Sequence, residues 1–127
     1  MENQLQTMFD LQKQLNLRLI RQRGLEDISD EVWIQRQTLA MLSELAELLD
    51  EVNFKWWKNK KPRNPDALRN ELVDIFHFFL SMCISAGMDA EELYARYCAK
   101  NQENHLRQEG LSEKTGYAVA EMGSEQP

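Results

Sequence analysis

The chain has 127 residues, 43% of them hydrophobic, and 21 acidic against 15 basic residues give it a net charge of −6. This length favours one domain with its own core, and the negative charge disfavours binding along the phosphates of a nucleic-acid polymer. Two cysteines without C-x-x-C spacing, no charged and apolar leader, and a longest apolar stretch (75–88) too short for a membrane span predict a cytoplasmic protein with neither disulfides nor a membrane partner.

Apolar residues recur along the chain at spacings of three and four, so the predicted fold class is all-α, with four helices and no strand. Short polar side chains that can accept the first free amides of a helix stand at Ser29, Asn64 and Asp89. Gly24 and Gly110 mark helix ends. The helices are therefore predicted at about 3–23, from 29 or 30 to 52, from 64 to near 87, and at 89–108.

The third predicted helix is apolar on nearly every side between Val73 and Ile84, and such a helix must be covered all round. One four-helix-bundle-like protomer offers few helices for this, so we expect a homodimer in which the second and third helices pack against their mates. The domain is expected to span 1–110. The segment 111–127 is expected to be a tail that is flexible or becomes ordered when substrate binds.

Two acidic doublets, each with carboxylates three residues apart, are the sharpest feature of the sequence. Glu44 and Glu47 lie in the second helix, and Glu71 and Asp74 lie in the third. Residues three apart share a helix face, and a short loop makes the two helices antiparallel neighbours, so the four carboxylates are expected to converge. Such anions repel one another unless cations intervene. We therefore predict a Mg²⁺ site, with Mn²⁺ as a substitute, that leaves positions for substrate phosphates.

Two other interpretations of these acids stay open. In the first, the carboxylates are ordinary solvated helix faces paired with lysines. In the second, Asp74 and His77 form half of a ferritin-like di-iron site, although Gln102 precedes the other histidine, His105, where that site requires an acid. His77 is otherwise expected to be a core histidine or a substrate-side group near Asp74.

A basic and aromatic segment, 53–65, separates the doublets and contains no acid. Trp56 and Trp57 stand there among several lysines, one of which is Lys58. Because aromatic faces stack on bases and cations neutralise phosphates, the segment suits a nucleotide held beside the carboxylates. The alternative is a hydrophobic loop plug with solvated lysines.

Polar positions on the first and fourth helices extend this pattern. Gln12 and Asn16 belong to a carboxamide-rich face, and a carboxamide can both donate to and accept from a base edge. Lys100, Asn104 and Arg107 share one face of the fourth helix and are residue types that bind phosphate. Taken singly, these side chains are also explained by solvation or by the helix dipole.

Together these motifs resemble the all-α nucleoside triphosphate pyrophosphohydrolases and, within that MazG-like superfamily, its dimeric dUTPase branch. The E-x-x-E, spacer, E-x-x-D pattern over 44–74 is similar to that of the superfamily. The aromatic and lysine run 54–58, and the run 100–107 followed by Gly116 and Tyr117, resemble the dUTPase branch.

The resemblance implies a Mg²⁺-dependent homodimer that hydrolyses dUTP, and dUDP, to dUMP through attack of an activated water on the phosphate chain. It implies catalysis and metal binding by Glu44, Glu47, Glu71 and Asp74. The residues expected to contact substrate are Gln12, Asn16, Trp56, Trp57, Lys58, His77, Lys100, Asn104, Arg107 and Tyr117. The alternatives are MazG-like hydrolysis of another nucleotide, such as dCTP or a modified triphosphate, and a non-enzymatic helical dimerisation module.

Overall fold

The chain is helical between its loops in a computed structural model that describes residues 2–122. The four α-helices are α1 (Gln4–Arg23), α2 (Asp30–Glu51), α3 (Pro65–Ser85) and α4 (Ala90–Glu109), and a short 3-10 helix follows at Val119–Glu121. Residues 2–122 contain no β-strand. The prediction of an all-α fold with four main helices is confirmed.

The helix ends follow the polar and glycine signals of the sequence. The side chains of Asn3, Ser29 and Asn64 each accept a hydrogen bond from the backbone N–H three residues further on, at 3.1, 3.3 and 3.1 Å. Asn3 is therefore the cap of α1, where the sequence predicted the first helical residue. Gly24 ends α1 with a φ of 63°, a left-handed conformation that glycine adopts without a steric penalty.

Residues 1–89 form one compact unit, in which α3 is the central helix. α2 packs along α3 in the antiparallel direction, so the second half of α2 lies beside the first half of α3. α1 packs on α3 in the parallel direction, because the contacts advance along both helices together, from Gln12 with His77 to Asn16 with Ser81. This arrangement places polar residues of α1 and α2 against one helix.

The core of this unit is small. Phe9, Leu80 and Cys83 are its buried apolar side chains among the described residues. Gln12 and Ser81 are buried to a similar degree. Burying an amide and a hydroxyl is costly unless both are hydrogen-bonded, so this pair indicates a specific polar arrangement inside the α1–α3 contact.

Residues 90–127 form a second compact unit, of which 90–122 are described. The chain reverses after α4 at Gly110, where φ is 75°, and Ala118 is buried on the return. The short 3-10 helix lies in this returning segment. The predicted domain boundary after residue 110 and the predicted behaviour of the tail stay predictions, and 123–127 lie outside the described residues.

The helices of the first unit keep much apolar surface exposed. Leu11 on α1 and Leu72 and Val73 on α3 are each more than half exposed. No single helix within 2–122 is long and apolar enough to span a membrane, although α3 and α4 together would satisfy that test as a broken pair.

Candidate active site

Three carboxylates meet where α2 packs against the first half of α3. One oxygen from each of Glu44, Glu47 and Glu71 lies within 4.8 Å of the other two. Glu44 and Glu71 are half-buried and Glu47 is exposed, so the group is open to solvent on one side. The antiparallel packing of the two helices brings together three of the four carboxylates of the acidic doublets, and Asp74 is not among them.

Glu71 is half-buried against the other two carboxylates of this group, and this raises its pKa. Its Oε2 atom is buried and has no hydrogen-bond partner among residues 2–122. A hydrogen bond to Glu44 raises the pKa of Glu71 to about 7, together with burial and the nearby carboxylate of Glu47. Glu71 therefore holds a proton close to neutral pH unless a cation takes its place.

The three carboxylates fit a hard divalent cation. Carboxylate oxygens are the ligands that Mg²⁺ and Mn²⁺ prefer, and Glu71 Oε2 offers a lone pair that no group within 2–122 satisfies. Asp74, the fourth predicted ligand, is exposed one turn further along α3 and lies outside the group of three. The structure thus brings together three of the four predicted carboxylates, and a metal role for Asp74 stays a prediction.

Without metal, we expect the protein to lose stability as the pH rises through the titration range of Glu71. Its pKa is about 7 in the folded chain against an ordinary value of 4.5, so between these values the folded chain binds more protons than the unfolded chain. Stability therefore falls as pH rises. The Tm measured in EDTA should fall between about pH 5 and pH 8, and Mg²⁺ should restore it at pH 8 by binding the same carboxylates. An equal fall of the Tm in the Glu71→Gln variant would contradict this expectation.

The polar residues in the second part of α3 form one stripe on an otherwise apolar helix. After Asn70 they are, at spacings of three or four, Glu71, Asp74, His77, Ser81 and Ser85. At 3.6 residues per turn they fall within about a third of the helix circumference. A rise of 1.5 Å per residue places Ser81 about 15 Å along the axis from Glu71. The stripe therefore connects the three carboxylates to a second polar cluster.

That second cluster consists of Gln12 and Asn16 on α1 and His77 and Ser81 on α3. Gln12 Nε2 donates to Asn16 Oδ1 at 3.0 Å and to Ser81 Oγ at 3.1 Å, and Asn16 Nδ2 donates to Ser81 Oγ at 3.2 Å. His77 Nδ1 lies 2.6 Å from Gln12 Oε1. Because an amide oxygen only accepts, Nδ1 carries the proton in this contact, and Nε2 of a neutral ring is left as an acceptor.

This amide cluster brings together three residues that the sequence analysis expected to contact substrate. His77 is neither a fully buried core histidine nor a member of the carboxylate group, but an exposed ring that is bonded to Gln12. The carboxylate group found within 2–122 contains no histidine, so the di-iron interpretation gains no support from it. Contact of Gln12, Asn16 and His77 with a base stays a prediction.

Asn53 closes the loop between α2 and α3. Its Nδ2 donates to the carbonyl of Lys61 at 3.1 Å, and the Lys61 N–H donates to Asn53 Oδ1 at 2.9 Å. Lys61 Nζ also lies 3.0 Å from a carboxylate oxygen of Glu51. Among the non-glycine residues of 2–122, only Asn53 has a positive φ, 54°, a conformation that asparagine tolerates better than most residues.

The closed loop presents two indole rings to solvent. Trp56 is 86% and Trp57 62% exposed, and their rings meet edge to face at 5.6 Å. Phe54 makes a similar contact with Trp57 at 6.3 Å. Lys58 lines a neighbouring cavity of about 210 Å³ together with Lys61. A buried hydrophobic plug is therefore wrong, and the aromatic surface beside lysines is available to a ligand.

We expect Asn53→Gly to loosen this loop. Glycine accepts the positive φ, so the variant removes the two hydrogen bonds to Lys61 without backbone strain, at a cost of about 1–3 kcal/mol in the free energy of closing the loop. Trypsin should then cleave after Lys58 and Lys60 several-fold faster, a readout measured by mass spectrometry. Asn59→Ala, in the same loop, is the control and should leave cleavage unchanged. Equal cleavage rates for the Asn53→Gly variant and wild type would show that the two hydrogen bonds between Asn53 and Lys61 do not restrain the loop.

In the second unit, the structure brings together three of the residues expected to contact phosphates or close over substrate. Arg107 Nη1 lies 3.5 Å from Asn104 Oδ1, and the guanidinium carbon lies 5.4 Å from the centre of the Tyr117 ring. Arg107 Nε also donates to Glu103 Oε1 at 3.0 Å. Lys100 is exposed on the same helix, one turn before Asn104. Phosphate contacts for these residues stay predictions.

Comparison with known proteins identifies the family. Residues 4–88 match the family model described as dUTPase. The chain belongs to the all-α dUTPase family. A dCTP pyrophosphatase of Enterobacteria phage T4 is 32% identical over 137 aligned positions, covering 83% of this chain and 80% of that protein. The matched region of the family model contains α1, α2 and α3.

Two further phage proteins are similar to this member of the all-α dUTPase family. A DNA replication protein of Enterobacteria phage T4 is 32% identical over 130 positions, which are 77% of this chain and 33% of that protein. A dCTP pyrophosphatase of Enterobacteria phage LZ5 is 32% identical over 75 positions, covering 59% of this chain and 44% of that protein. No solved structure gives a significant match.

Membership of the all-α dUTPase family makes the chain a nucleotide pyrophosphohydrolase, an enzyme that hydrolyses nucleoside triphosphates. The predicted resemblance is confirmed, and the alternative of a non-enzymatic helical module is excluded. The family match covers both acidic doublets and the loop between them.

Sequence reasoning missed two residues that organise these clusters. Ser81 accepts hydrogen bonds from both Gln12 and Asn16, and its signal was its place in the α3 polar stripe. Glu103 binds Arg107, and its signal was the spacing of four between an acid and an arginine on one helix.

Proposed function

We propose that the enzyme hydrolyses dUTP, and dUDP, to dUMP with Mg²⁺ as its metal. One observation carries this proposal: the polar stripe of α3 links a carboxylate cluster suited to a phosphate-bound cation with an amide cluster suited to a base. The separation of about 15 Å between Glu71 and Ser81 matches the scale of an extended deoxynucleoside triphosphate. The match of residues 4–88 to the family model described as dUTPase supports the same reaction class.

Glu44, Glu47 and Glu71 would hold the cation, and Asp74 is proposed to join them. When bound, Mg²⁺ supplies neutralisation of phosphate charge and a lowered pKa for water. The carboxylates orient the phosphate chain and, through one carboxylate oxygen, accept the proton of the attacking water.

At the other end of the stripe, Gln12 and Asn16 are proposed to read the base edge with His77 beside them. Trp56 or Trp57 would cover the ring, and the exposure of both indoles supports this. The residues proposed to bind the phosphates or close over them are Lys58, Lys100, Asn104, Arg107 and Tyr117. Aromatic stacking is worth about 1–3 kcal/mol per base, and cations add charge-assisted hydrogen bonds to phosphate oxygens.

A second candidate substrate is dCTP, because a relative that matches 83% of this chain is named a dCTP pyrophosphatase. Uracil and cytosine present opposite donors and acceptors at the same edge, and a carboxamide can satisfy either one when it rotates. The orientation of the Gln12 amide between His77 and Ser81 is therefore the feature that decides between the two bases.

The test is hydrolysis of dUTP, dUDP, dCTP, TTP and UTP with Mg²⁺, and with EDTA as control, the products being separated by chromatography. We expect dUMP from dUTP and dUDP, with little turnover of the other nucleotides and none in EDTA. Preferential turnover of dCTP would support dCTP, the second candidate, as the substrate in place of dUTP. Turnover of none of the five, or equal turnover in EDTA, would refute the proposed function.

We also propose that the enzyme works as a homodimer. A groove of about 520 Å³ between α1 and α3 is lined by large apolar side chains, including Leu11, Leu72 and Val73. A second copy would remove this surface from water, at roughly 25 cal/mol per Å² of apolar area. Light scattering should give twice the mass of one chain, and Leu72→Lys should halve it. A monomeric wild type would contradict the dimer.

The remaining sequence predictions concern the cellular location of the protein and its binding partners. A cytoplasmic location stays a proposal, supported by Cys83 and Cys98, which are both free thiols. The proposed partners are a small deoxynucleotide and a second copy of the chain. Neither a nucleic-acid polymer nor a membrane is proposed as a partner.

A further inference from the structure

Glu103 on α4 receives two hydrogen bonds on the same oxygen. Arg107 Nε donates to Glu103 Oε1 at 3.0 Å, and Ser112 Oγ donates to that atom at 2.5 Å. Ser112 Oγ in turn accepts the backbone N–H of Lys114 at 3.1 Å. One carboxylate therefore ties an arginine of the helix to the segment that returns from the helix end.

The pair is well shielded for an ion pair on one helix. The side chain of Arg107 is 13% exposed and that of Glu103 35%, whereas the pair of Arg96 and Glu92, with the same spacing on α4, is exposed by 70% and 43%. Exposed pairs of this kind contribute little because water screens them, and shielding strengthens the interaction. Hydrogen bonds from Ser112 and Arg107 also lower the pKa of Glu103, so it stays ionised at neutral pH.

The bond to Glu103 fixes which part of the guanidinium stays available. Arg107 has five N–H donors in one plane. Its Nε–H is taken by Glu103, one Nη1 contact is a long 3.5 Å to Asn104, and the Tyr117 ring lies 5.4 Å from the guanidinium carbon. These contacts engage Nε–H and one Nη1–H, and the other donors stand on Nη1 and Nη2, the side on which a guanidinium binds an oxyanion in a bidentate manner.

The returning segment is fixed as well. Ser112 anchors its start to Glu103, and further along the Gly116 N–H donates to a carboxylate oxygen of Glu121 at 2.6 Å. Tyr117 follows Gly116 directly. The segment that carries Tyr117 is thus bonded at its start to the same carboxylate that binds the guanidinium.

We propose that Glu103 is a positioning residue that holds the Arg107 guanidinium and the Tyr117 segment in the arrangement that receives the phosphate chain of the nucleotide. The inference rests on the proposed function, because it takes the phosphate chain as the ligand of Arg107. Glu103 acts through Arg107 and Ser112 and does not itself contact substrate.

A double-mutant cycle tests this role. Glu103→Ala should raise the KM for dUTP about tenfold and change kcat by less than about threefold, since misplacement of a binding group weakens phosphate binding more than the chemical step. Arg107→Ala should raise KM at least as much. In the double variant, Glu103→Ala should add less than about twofold to Arg107→Ala, because two residues that act as one unit are not additive.

Three further variants separate positioning from general structure. Glu103→Gln keeps an oxygen that accepts both hydrogen bonds and should restore KM to within about threefold of wild type. Arg96→Ala breaks the other acid–arginine pair of α4 and should leave KM unchanged. If Glu103→Ala does not fold, Ser112→Ala removes the bonds of Ser112 to Glu103 and to the Lys114 N–H, keeps the pair of Glu103 and Arg107, and should raise KM by a few-fold.

Calorimetric titration with tripolyphosphate and Mg²⁺ keeps this inference separate from the proposed reaction. We expect Glu103→Ala to weaken tripolyphosphate binding about tenfold, whichever nucleotide is hydrolysed. Additive effects of Glu103→Ala and Arg107→Ala, or unchanged tripolyphosphate binding in Glu103→Ala, would overturn the positioning role while leaving nucleotide hydrolysis intact. Failure of wild type to hydrolyse any nucleotide would refute the proposed function instead.

Discussion

Replacing Glu71 by glutamine should reduce hydrolysis at saturating Mg²⁺ by at least about a hundredfold. The variant removes one anionic ligand from a group of three carboxylates that lie within 4.8 Å of one another. Cation stabilisation of phosphoryl transfer is worth several kcal/mol, and each 1.36 kcal/mol is a factor of ten in rate. Steady-state kinetics on the preferred nucleotide measures the loss.

The same variant should be as stable as wild type, or more stable, near pH 8 in EDTA. A neutral amide at position 71 no longer repels Glu44 and Glu47, which in wild type raise the pKa of Glu71. Asp66→Asn, an exposed acid on α3 that pairs with Arg69, is the matched control and should keep full activity. An unfolded Glu71→Gln, or one with wild-type turnover, would remove Glu71 from the catalytic site.

Replacing Gln12 by alanine should lower both stability and base selectivity. The amide of Gln12 serves Asn16, Ser81 and His77 in a buried position, so its loss leaves three polar groups with fewer partners. The free energy of unfolding should fall by about 1–3 kcal/mol, measured by urea denaturation. The ratio of kcat/KM for dUTP to that for dCTP should move at least about tenfold toward unity, because a hydrogen-bonding site loses discrimination with its donor and acceptor.

Gln14→Ala provides the control for this prediction. Gln14 is the same residue type two positions away on α1, but it is exposed. Its replacement should leave the unfolding free energy within about 0.5 kcal/mol and the selectivity ratio unchanged. If Gln12→Ala lowers stability while the ratio stays at the wild-type value, Gln12 is a structural residue of the α1–α3 contact and does not read the base.

Local rules in the sequence account for much of the fold. Asn3, Ser29 and Asn64 cap their helices through bonds between residues three apart, and such bonds depend on neighbouring residues alone. The convergence of Glu44, Glu47 and Glu71 was also predictable, because helix spacing and a short connection determine which faces meet. These features need no knowledge of distant contacts.

Other features depend on how the side chains pack, and local rules do not predict them. The spacing rule predicted four carboxylates together, yet Asp74 lies outside the group of three, since a shared helix face spans enough arc for one side chain to point elsewhere. The bonds from Gln12 to His77 and Ser81 join residues 65 and 69 positions apart. Periodicity on either helix alone does not specify which amide meets which hydroxyl. The two hydrogen bonds between Asn53 and Lys61 form with a left-handed backbone at Asn53. The sequence permits this backbone conformation but does not impose it.

The polar stripe of α3 has a consequence for how enzymes of this kind diverge. Glu71 and Ser81 stand on one uninterrupted helix, so the distance and the angle between the proposed metal-binding end and the proposed base-binding end of the stripe are fixed. If the proposed function holds, substitutions around Ser81 change which nucleobase is accepted and leave the metal-binding end in place. Insertion of a single residue between them would rotate one end by about 100° and disable both. Point substitutions within this helix can therefore change the substrate during evolution, whereas insertions and deletions within it would be selected against.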